Sequence, residues 1–180
     1  DGGACVVGDT GPGGGIVFYV HDDADELFTS TGSDCGTSCK YMEAAPTDHS
    51  TRLAWCDNQT TNLGVAAEGI GSGMSNTTTA DGTCTSGAIQ TAADYSNNGK
   101  TDWHLPSKNE LNELCKYART QAFGANCTNE IAGSRRAGFV DDFYWSSSDN
   151  PERGDDAYAQ HFNNGGWNTG SRWDLYYVRP

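Results

Sequence analysis

Trp103-His104-Leu105-Pro106-Ser107-Lys108-Asn109-Glu110-Leu111-Asn112-Glu113-Leu114-Cys115 is the stretch from which the fold is read. Ser107 and Glu110 stand three apart, so the hydroxyl and the carboxylate can each satisfy an amide donor at a helix start, the reciprocal arrangement of a capping box. Leu111, Leu114, Cys115 and Ala118 follow at helical spacing and define one buried stripe, with the helix expected to end near Arg119, before Cys127. Such a stripe needs a partner layer, and the residues after Gly138 supply it. Phe143 to Ser147, Ala157 to Phe162 and Trp173 to Val178 are rich in aromatic and β-branched residues. Asn163-Asn164-Gly165-Gly166 tolerates positive φ, so the last two runs are expected to form a hairpin with a long tip. Strand parity then turns Tyr158, Gln160 and Phe162 inward.

Towards the N-terminus, a second helix is expected to start with Ser86 as cap, to bury Ile89, Ala92 and Ala93, and to stop at Asn97-Asn98-Gly99. Asp57 to Gly87 is rich in Thr, Asn and Gly and reads as a long loop. Ile16 to Val20 and Tyr41 to Ala45 are strand candidates. The glycines of Gly11-Pro12-Gly13-Gly14-Gly15 precede a strand, whereas a dinucleotide fingerprint follows one, so phosphate binding is not expected there. Gly99-Lys100-Thr101 fails as a P-loop because Asp94 stands where the first glycine is needed. His21 to Glu26 reads as a solvated acidic turn. The expected fold is α+β, one domain over residues 1–180, with two helices and antiparallel strands closed by strands drawn from both chain ends.

Composition limits the partners. Eleven Lys and Arg face 24 Asp and Glu, for a net charge of −13, which offers little to nucleic acid or to an anionic membrane surface. Five Trp, eight Tyr and six Phe supply a core that the scarce aliphatic residues do not, since each ring buries roughly 150–250 Å². The longest wholly apolar run is Ile16 to Val20, far short of the ~20 residues a helix needs to cross a bilayer. There is no initiator Met and no apolar leader, so any targeting segment is expected upstream of Asp1.

Seven cysteines outside tight metal-ligand spacing point to disulfides and an oxidising compartment. Spacing alone leaves the connectivity open. The assignment adopted is Cys35–Cys39, Cys56–Cys84 and Cys115–Cys127, leaving Cys5 to contact or cross-link a neighbouring domain or chain. Zinc held by Cys35, Cys39, His49 and Cys56 is the weaker alternative, because only one close Cys pair is present.

Five blocks carry a resemblance: Gly8-Asp9-Thr10-Gly11-Pro12-Gly13-Gly14-Gly15-Ile16-Val17-Phe18-Tyr19, Tyr41-Met42-Glu43-Ala44-Ala45-Pro46, Asp102-Trp103-His104-Leu105-Pro106-Ser107 with Glu110-Leu111, Tyr144-Trp145-Ser146-Ser147-Ser148, and Tyr177-Val178-Arg179-Pro180. Together they resemble the family typified by the C-terminal domain of the Legionella collagen-like adhesin. The resemblance implies a C-type-lectin-like fold and extracellular adhesion or ligand binding. It also implies a distant similarity to the formylglycine-generating, sulfatase-modifying enzymes. Two departures matter. The charge of −13 disfavours the sulfated glycans associated with that adhesin. Residues 144–180 hold no cysteine, so the enzymes' chemistry has no nucleophile there.

The candidate ligand surface is His161, Asn163, Asn164, Trp167, Asn168, Ser171, Arg172, Trp173, Asp174 and Tyr176. It mixes rigid aromatic area with short polar side chains, as antibody loops do. Trp167 and Trp173 are the preferred ligand contacts, while Tyr177 and Val178 are expected to pack. His104 is expected to make a structural hydrogen bond. No cofactor is required. Calcium is allowed because lectin-like folds often use it, but the Glu-Pro-Asn, Gln-Pro-Asp and Trp-Asn-Asp tripeptides of calcium-dependent sugar binding are missing. The expected function is therefore a non-catalytic recognition domain, extracellular or on the cell surface, that binds a glycan or surface protein through its C-terminal loops. The alternatives are a structural module of a surface fibre and, disfavoured, a sulfatase-modifying type of enzyme.

Overall fold

The computed structural model describes residues 5–21, 27–120, 127 and 135–180. Most of the acidic turn expected from His21 to Glu26 lies outside the described residues. The architecture is mixed α+β. In chain order the elements are β1 (Ile16–Val20), β2 (Tyr41–Ala44), α1 (Gly73–Asp81), α2 (Ala88–Ala93), α3 (Lys108–Ala118), β3 (Phe143–Asn150), β4 (Arg153–His161) and β5 (Trp167–Ser171). β1 and β2 pair antiparallel, and β3, β4 and β5 form a separate antiparallel sheet with β4 in the centre.

α3 forms as its sequence dictates. Glu110 N–H donates to Ser107 Oγ at 3.4 Å, and Ser107 N–H donates to Glu110 Oε2 at 2.8 Å. The Glu110 carboxylate also accepts from the amides of Gly71 at 2.7 Å and Gly73 at 3.3 Å. One buried side chain therefore caps α3 and anchors the start of α1. Leu111, Leu114, Cys115 and Ala118 are buried as their spacing predicts, against Phe18, Tyr144 and Phe162.

Three helices are present among the described residues, and α1 corrects the expectation of two. It lies within the presumed loop from Asp57 to Gly87. Its residues, Gly73-Met74-Ser75-Asn76-Thr77-Thr78-Thr79-Ala80-Asp81, are weak helix formers, and the Ser72 side chain ahead of it makes no capping hydrogen bond. Tertiary contacts hold it instead. Thr77 Oγ1 donates to Leu105 O and accepts from Leu105 N–H, Asn76 Nδ2 donates to Ala67 O, and Ala80 is fully buried.

α2 also departs from its expected bounds. Gly87, not Ser86, precedes it, at φ 109° with no side-chain cap. A β-carbon there would stand 2.8 Å from Ala54 O, so only glycine fits. The helix stops at Ala93. Asn97-Asn98-Gly99 is not its cap but a separate turn, with Asn98 at φ 47° and Gly99 at φ 78°. Its side chains grip the glycine loop: Asn97 Nδ2 donates to Gly13 O and Asn98 Nδ2 to Pro12 O, both at 2.8 Å.

That glycine loop does hold an anion, but one from its own chain. Glu43 of β2 accepts from Gly13 N–H at 3.2 Å and from Gly15 N–H at 3.1 Å. A side chain at Gly11 would collide with the same carboxylate.

The hairpin tip is where the sequence places it, but its second strand is β5 rather than Trp173 to Val178. The turn after β4 reverses the chain at once, and Trp167 pairs with Gln160. Gly170 permits β5 to lie close to the aromatic layer, since a β-carbon there would stand 2.6 Å from the Tyr176 ring. Tyr177 instead lies beside β3, the edge opposite β5, in a single parallel bridge to Tyr144, and Tyr176 bridges Leu53. The two chain ends do not share a sheet. They meet through Ala45 N–H to Pro180 O at 2.7 Å and His49 N–H to Val178 O at 2.9 Å. Inward parity holds for Gln160 and Phe162, both fully buried, while Tyr158 is only half-buried and Ala157 and Ala159 on the opposite face are buried.

The disulfides are Cys35–Cys39, Cys56–Cys84 and Cys115–Cys127, with Cys5 free and half-buried. The zinc alternative is thereby excluded, since three of its four ligands are oxidised. Of the five tryptophans, Trp55, Trp103 and Trp145 are buried, whereas Trp167 and Trp173 are exposed.

Candidate functional site

The register of the sheet decides which candidate ligand residues meet. Opposed residues of antiparallel strands share a face. Gln160 opposite Trp167 and Tyr158 opposite Thr169 therefore place Tyr158 and Trp167 together. Their rings meet edge to face at 6.5 Å. Lys108, at the start of α3, sets its ammonium 3.8 Å from the centre of the Tyr158 ring and 5.7 Å from that of Trp167. Glu68 completes the cluster with an ion pair to Lys108 at 2.9 Å. Asn163 and Asn164 are exposed in the turn leading into Trp167, and Asn164 Oδ1 accepts from Gly166 N–H at 2.8 Å. The result is a shallow surface of two aromatic rings flanked by an ammonium, a carboxylate and amides. Tyr158, Lys108 and Glu68 escaped the sequence reading. Parity assigned Tyr158 inward, and Lys108 had no signal beyond its place in the capping box.

The rest of the candidate set lies elsewhere. His161 is half-buried, edge-on to Phe143 at 4.6 Å. Asn168 and Tyr176 point to the other face, where the Tyr176 ring lies 4.4 Å from that of Trp145 and its hydroxyl donates to Asp174 Oδ2 at 3.3 Å. Arg172 is not at the surface. It is fully buried, lies 4.6 Å over the Trp55 ring, donates to Thr61 O at 2.9 Å and pairs with Asp149 at 3.5 Å. Its charge is spent on the interior. Ser171 is half-buried, whereas Trp173, Asp174 and Leu175 project from the turn beyond β5, with Trp173 69% exposed. Trp167 and Trp173 thus belong to opposite ends of β5, which at about 3.3 Å per residue spans ~13 Å.

His104 makes the structural contacts expected of it. Nδ1 faces Asp102 O at 3.3 Å and Nε2 lies 3.6 Å from Glu110. Burial pushes the imidazole pKa down, but Glu110 and Asp102 outweigh it and hold His104 above its ordinary value. Burial likewise pushes Glu110 up. His104 and the amides of Ser107 and Gly73 prevail, keeping the carboxylate below its usual range. Among the described residues, no group of three or more His, Cys, Asp or Glu is placed to hold a metal ion.

The chain is a mixed α+β domain with two disulfide-closed loops, a bridge from α3 to Cys127 and an exposed aromatic edge. A family model, the Lcl C-terminal domain, matches residues 45–180, and the chain belongs to that family. It is on this basis an adhesin-associated domain. The matched stretch begins after β2, so the block Gly8 to Tyr19 lies outside it. No curated protein and no solved structure matches the chain. No helix among the described residues is long and apolar enough to cross a membrane, and the disulfides are consistent with an extracellular location.

Proposed function

We propose that this chain is a non-catalytic recognition domain with a C-type-lectin-like fold, working outside the cell, and that its ligand surface is centred on Trp167 and Tyr158. The observation that carries the proposal is the division of the tryptophans. Trp55 and Trp145 are sealed in the core, each donating its indole N–H to a backbone carbonyl, Ser146 O and Leu53 O respectively. Trp167 is 38% exposed beside Tyr158. An apolar ring left in water is an unspent contact surface. Stacking of a sugar face on Trp167, with Lys108, Glu68 and Asn163 flanking it for the hydroxyls, suits an uncharged glycan better than a sulfated one, given the net charge of −13.

Trp173 and Leu175, exposed together beyond β5, support a second reading in which this end of the strand docks a surface protein. Such exposed aromatic and aliphatic anchors are common at the centres of protein interfaces. Cys5, the free thiol, offers a further link to a neighbouring domain or chain.

Arrays of glycans and of surface proteins, probed with the isolated domain with and without calcium, test both readings. Trp167→Ala is expected to abolish glycan capture and Trp173→Ala to leave it intact. Equal capture by the parent and Trp167→Ala would refute the Trp167 site.

A further inference from the structure

A cavity of about 480 Å³ lies between the glycine loop, β2, the Cys35–Cys39 loop and the Trp103-His104 segment. None of Tyr158, Trp167 and Trp173 lines it, so it is separate from the surface proposed above. Its volume falls within the roughly 300–1,000 Å³ of small-ligand pockets. Phe18, Phe28, Cys39, Trp103 and Leu114 are buried lining residues, and Met42 lines it half-buried. They give the wall a largely aromatic apolar part.

The ionisable side chains of the wall nearly balance, in a chain that carries −13 overall. Asp34, Glu43, Asp102 and Glu110 stand against Lys40, Lys100, His104 and Arg179. Each of the four carboxylates is already engaged. Asp34 pairs with Lys100 at 2.7 Å, and Asp102 accepts the Asp34 amide at 2.9 Å and acts on both Lys100 and His104. Glu43 is held by the amides of Gly13 and Gly15, and Glu110 by His104 and three amides. Arg179 pairs with Asp48 at 2.9 Å. Lys40 is exposed, where water and salt screen its charge.

A neutral polar group stands among these charges. The Tyr41 hydroxyl makes no hydrogen bond among the described residues. Burial, with the nearby Cys5, Glu43 and Asp102, raises its pKa above the ordinary value against the opposing effect of Lys100, so it stays protonated, able both to donate and to accept. Tyr41 lines the cavity, and so do Glu43, Lys100 and Asp102, which act on its hydroxyl. We propose that this cavity binds a small uncharged molecule with an aromatic body and one hydroxyl group, the body against the apolar wall and the hydroxyl hydrogen-bonded to Tyr41. A ligand ammonium would lose its hydration to find every lining carboxylate already partnered. A ligand carboxylate would enter against the negative field of the whole chain.

The chain's two methionines, Met42 and Met74, make the test direct, because Met42 lines the cavity and Met74 does not. Methyl-labelled methionine in the intact domain is followed by NMR during titration with tryptophol, tryptamine and indole-3-acetate. These probes share an indole ring on a short arm and end in a hydroxyl, an ammonium and a carboxylate. The expected result is a saturable shift of Met42 with tryptophol, a still Met74, and at least about tenfold weaker binding of either charged probe. Tyr41→Phe keeps the ring and removes the hydroxyl, and is expected to weaken tryptophol by about threefold or more while leaving the thermal midpoint unchanged. An unmoved Met42 up to millimolar tryptophol overturns the proposal. So does binding of tryptamine or indole-3-acetate as tight as that of tryptophol, or a folded Tyr41→Phe that binds tryptophol as the parent does.

Discussion

The two ends of α3 and β5 that approach each other at Lys108 and Trp167 are built on opposite principles. At Glu110 polar capacity is consumed inside the protein: three amides, an imidazole and a helix start converge on one carboxylate that is 1% exposed. Across the contact, β5 turns Trp167 towards solvent, and the turn beyond it does the same with Trp173. A buried group that is fully partnered contributes to stability and is unavailable to a ligand. An exposed ring contributes little to stability and is available. The contrast separates what holds this domain together from what it presents.

Breaking the Glu110 junction should cost most. Glu110→Ala leaves His104 and the amides of Gly71, Gly73 and Ser107 without their acceptor, and losing one member of a buried charged network costs about 3–5 kcal/mol. Urea denaturation should show that loss, together with earlier proteolysis near Gly71, where α1 is anchored. A loss below about 1 kcal/mol would show that the junction is not the fold's anchor.

The Cys56–Cys84 bridge comes next. It closes a 28-residue separation around α1, and replacing both cysteines with serine should cost about 2–5 kcal/mol. Non-reducing peptide mapping should recover this bridge alongside Cys35–Cys39 and Cys115–Cys127, and a Cys5–Cys35 link would contradict the pairing.

A smaller effect is carried by pH. Glu110 is depressed in the folded state, so its contribution is complete above the ordinary value of 4.5 and is lost as pH falls through the lower folded value. His104 is raised, so its contribution is complete below 6.5 and is lost as pH climbs through the higher folded value. The stability difference between the parent and His104→Gln should therefore be greatest between about pH 4.5 and 6.5 and shrink on either side. A difference that does not vary from pH 4 to 9 would remove the His104–Glu110 pair from the account.

Smallest is the effect on the exposed rings. Trp167→Ala and Trp173→Ala should each move stability by no more than about 0.5 kcal/mol, against about 3–5 kcal/mol for Trp145→Ala in the core. A Trp167 loss near that of Trp145 would erase the distinction between the two regions.

Features encoded over a few neighbouring residues were legible in the chain itself. The capping box placed α3, the helical spacing placed its buried stripe, and the glycines and asparagines of residues 163–166 placed the hairpin tip, because each depends on local backbone geometry. The exposure of Trp167 and Trp173 was also legible, since both fall among short polar residues. Local signals did not reach the rest. α1 has weak intrinsic propensity and exists because Thr77, Asn76 and Ala80 find partners far along the chain. β5 displaced Trp173 to Val178 as the second hairpin strand because Gly170 fits under Tyr176, a contact that appears only once the sheet is assembled. Arg172 reads as a surface cation until the fold lays Trp55 and Asp149 around it, and Tyr158 joins Trp167 only through the register of β4 and β5. Sequence determined the elements whose free energy is local; tertiary structure decided those whose stability comes from a partner elsewhere in the chain, and with them which side chains stand beside Trp167.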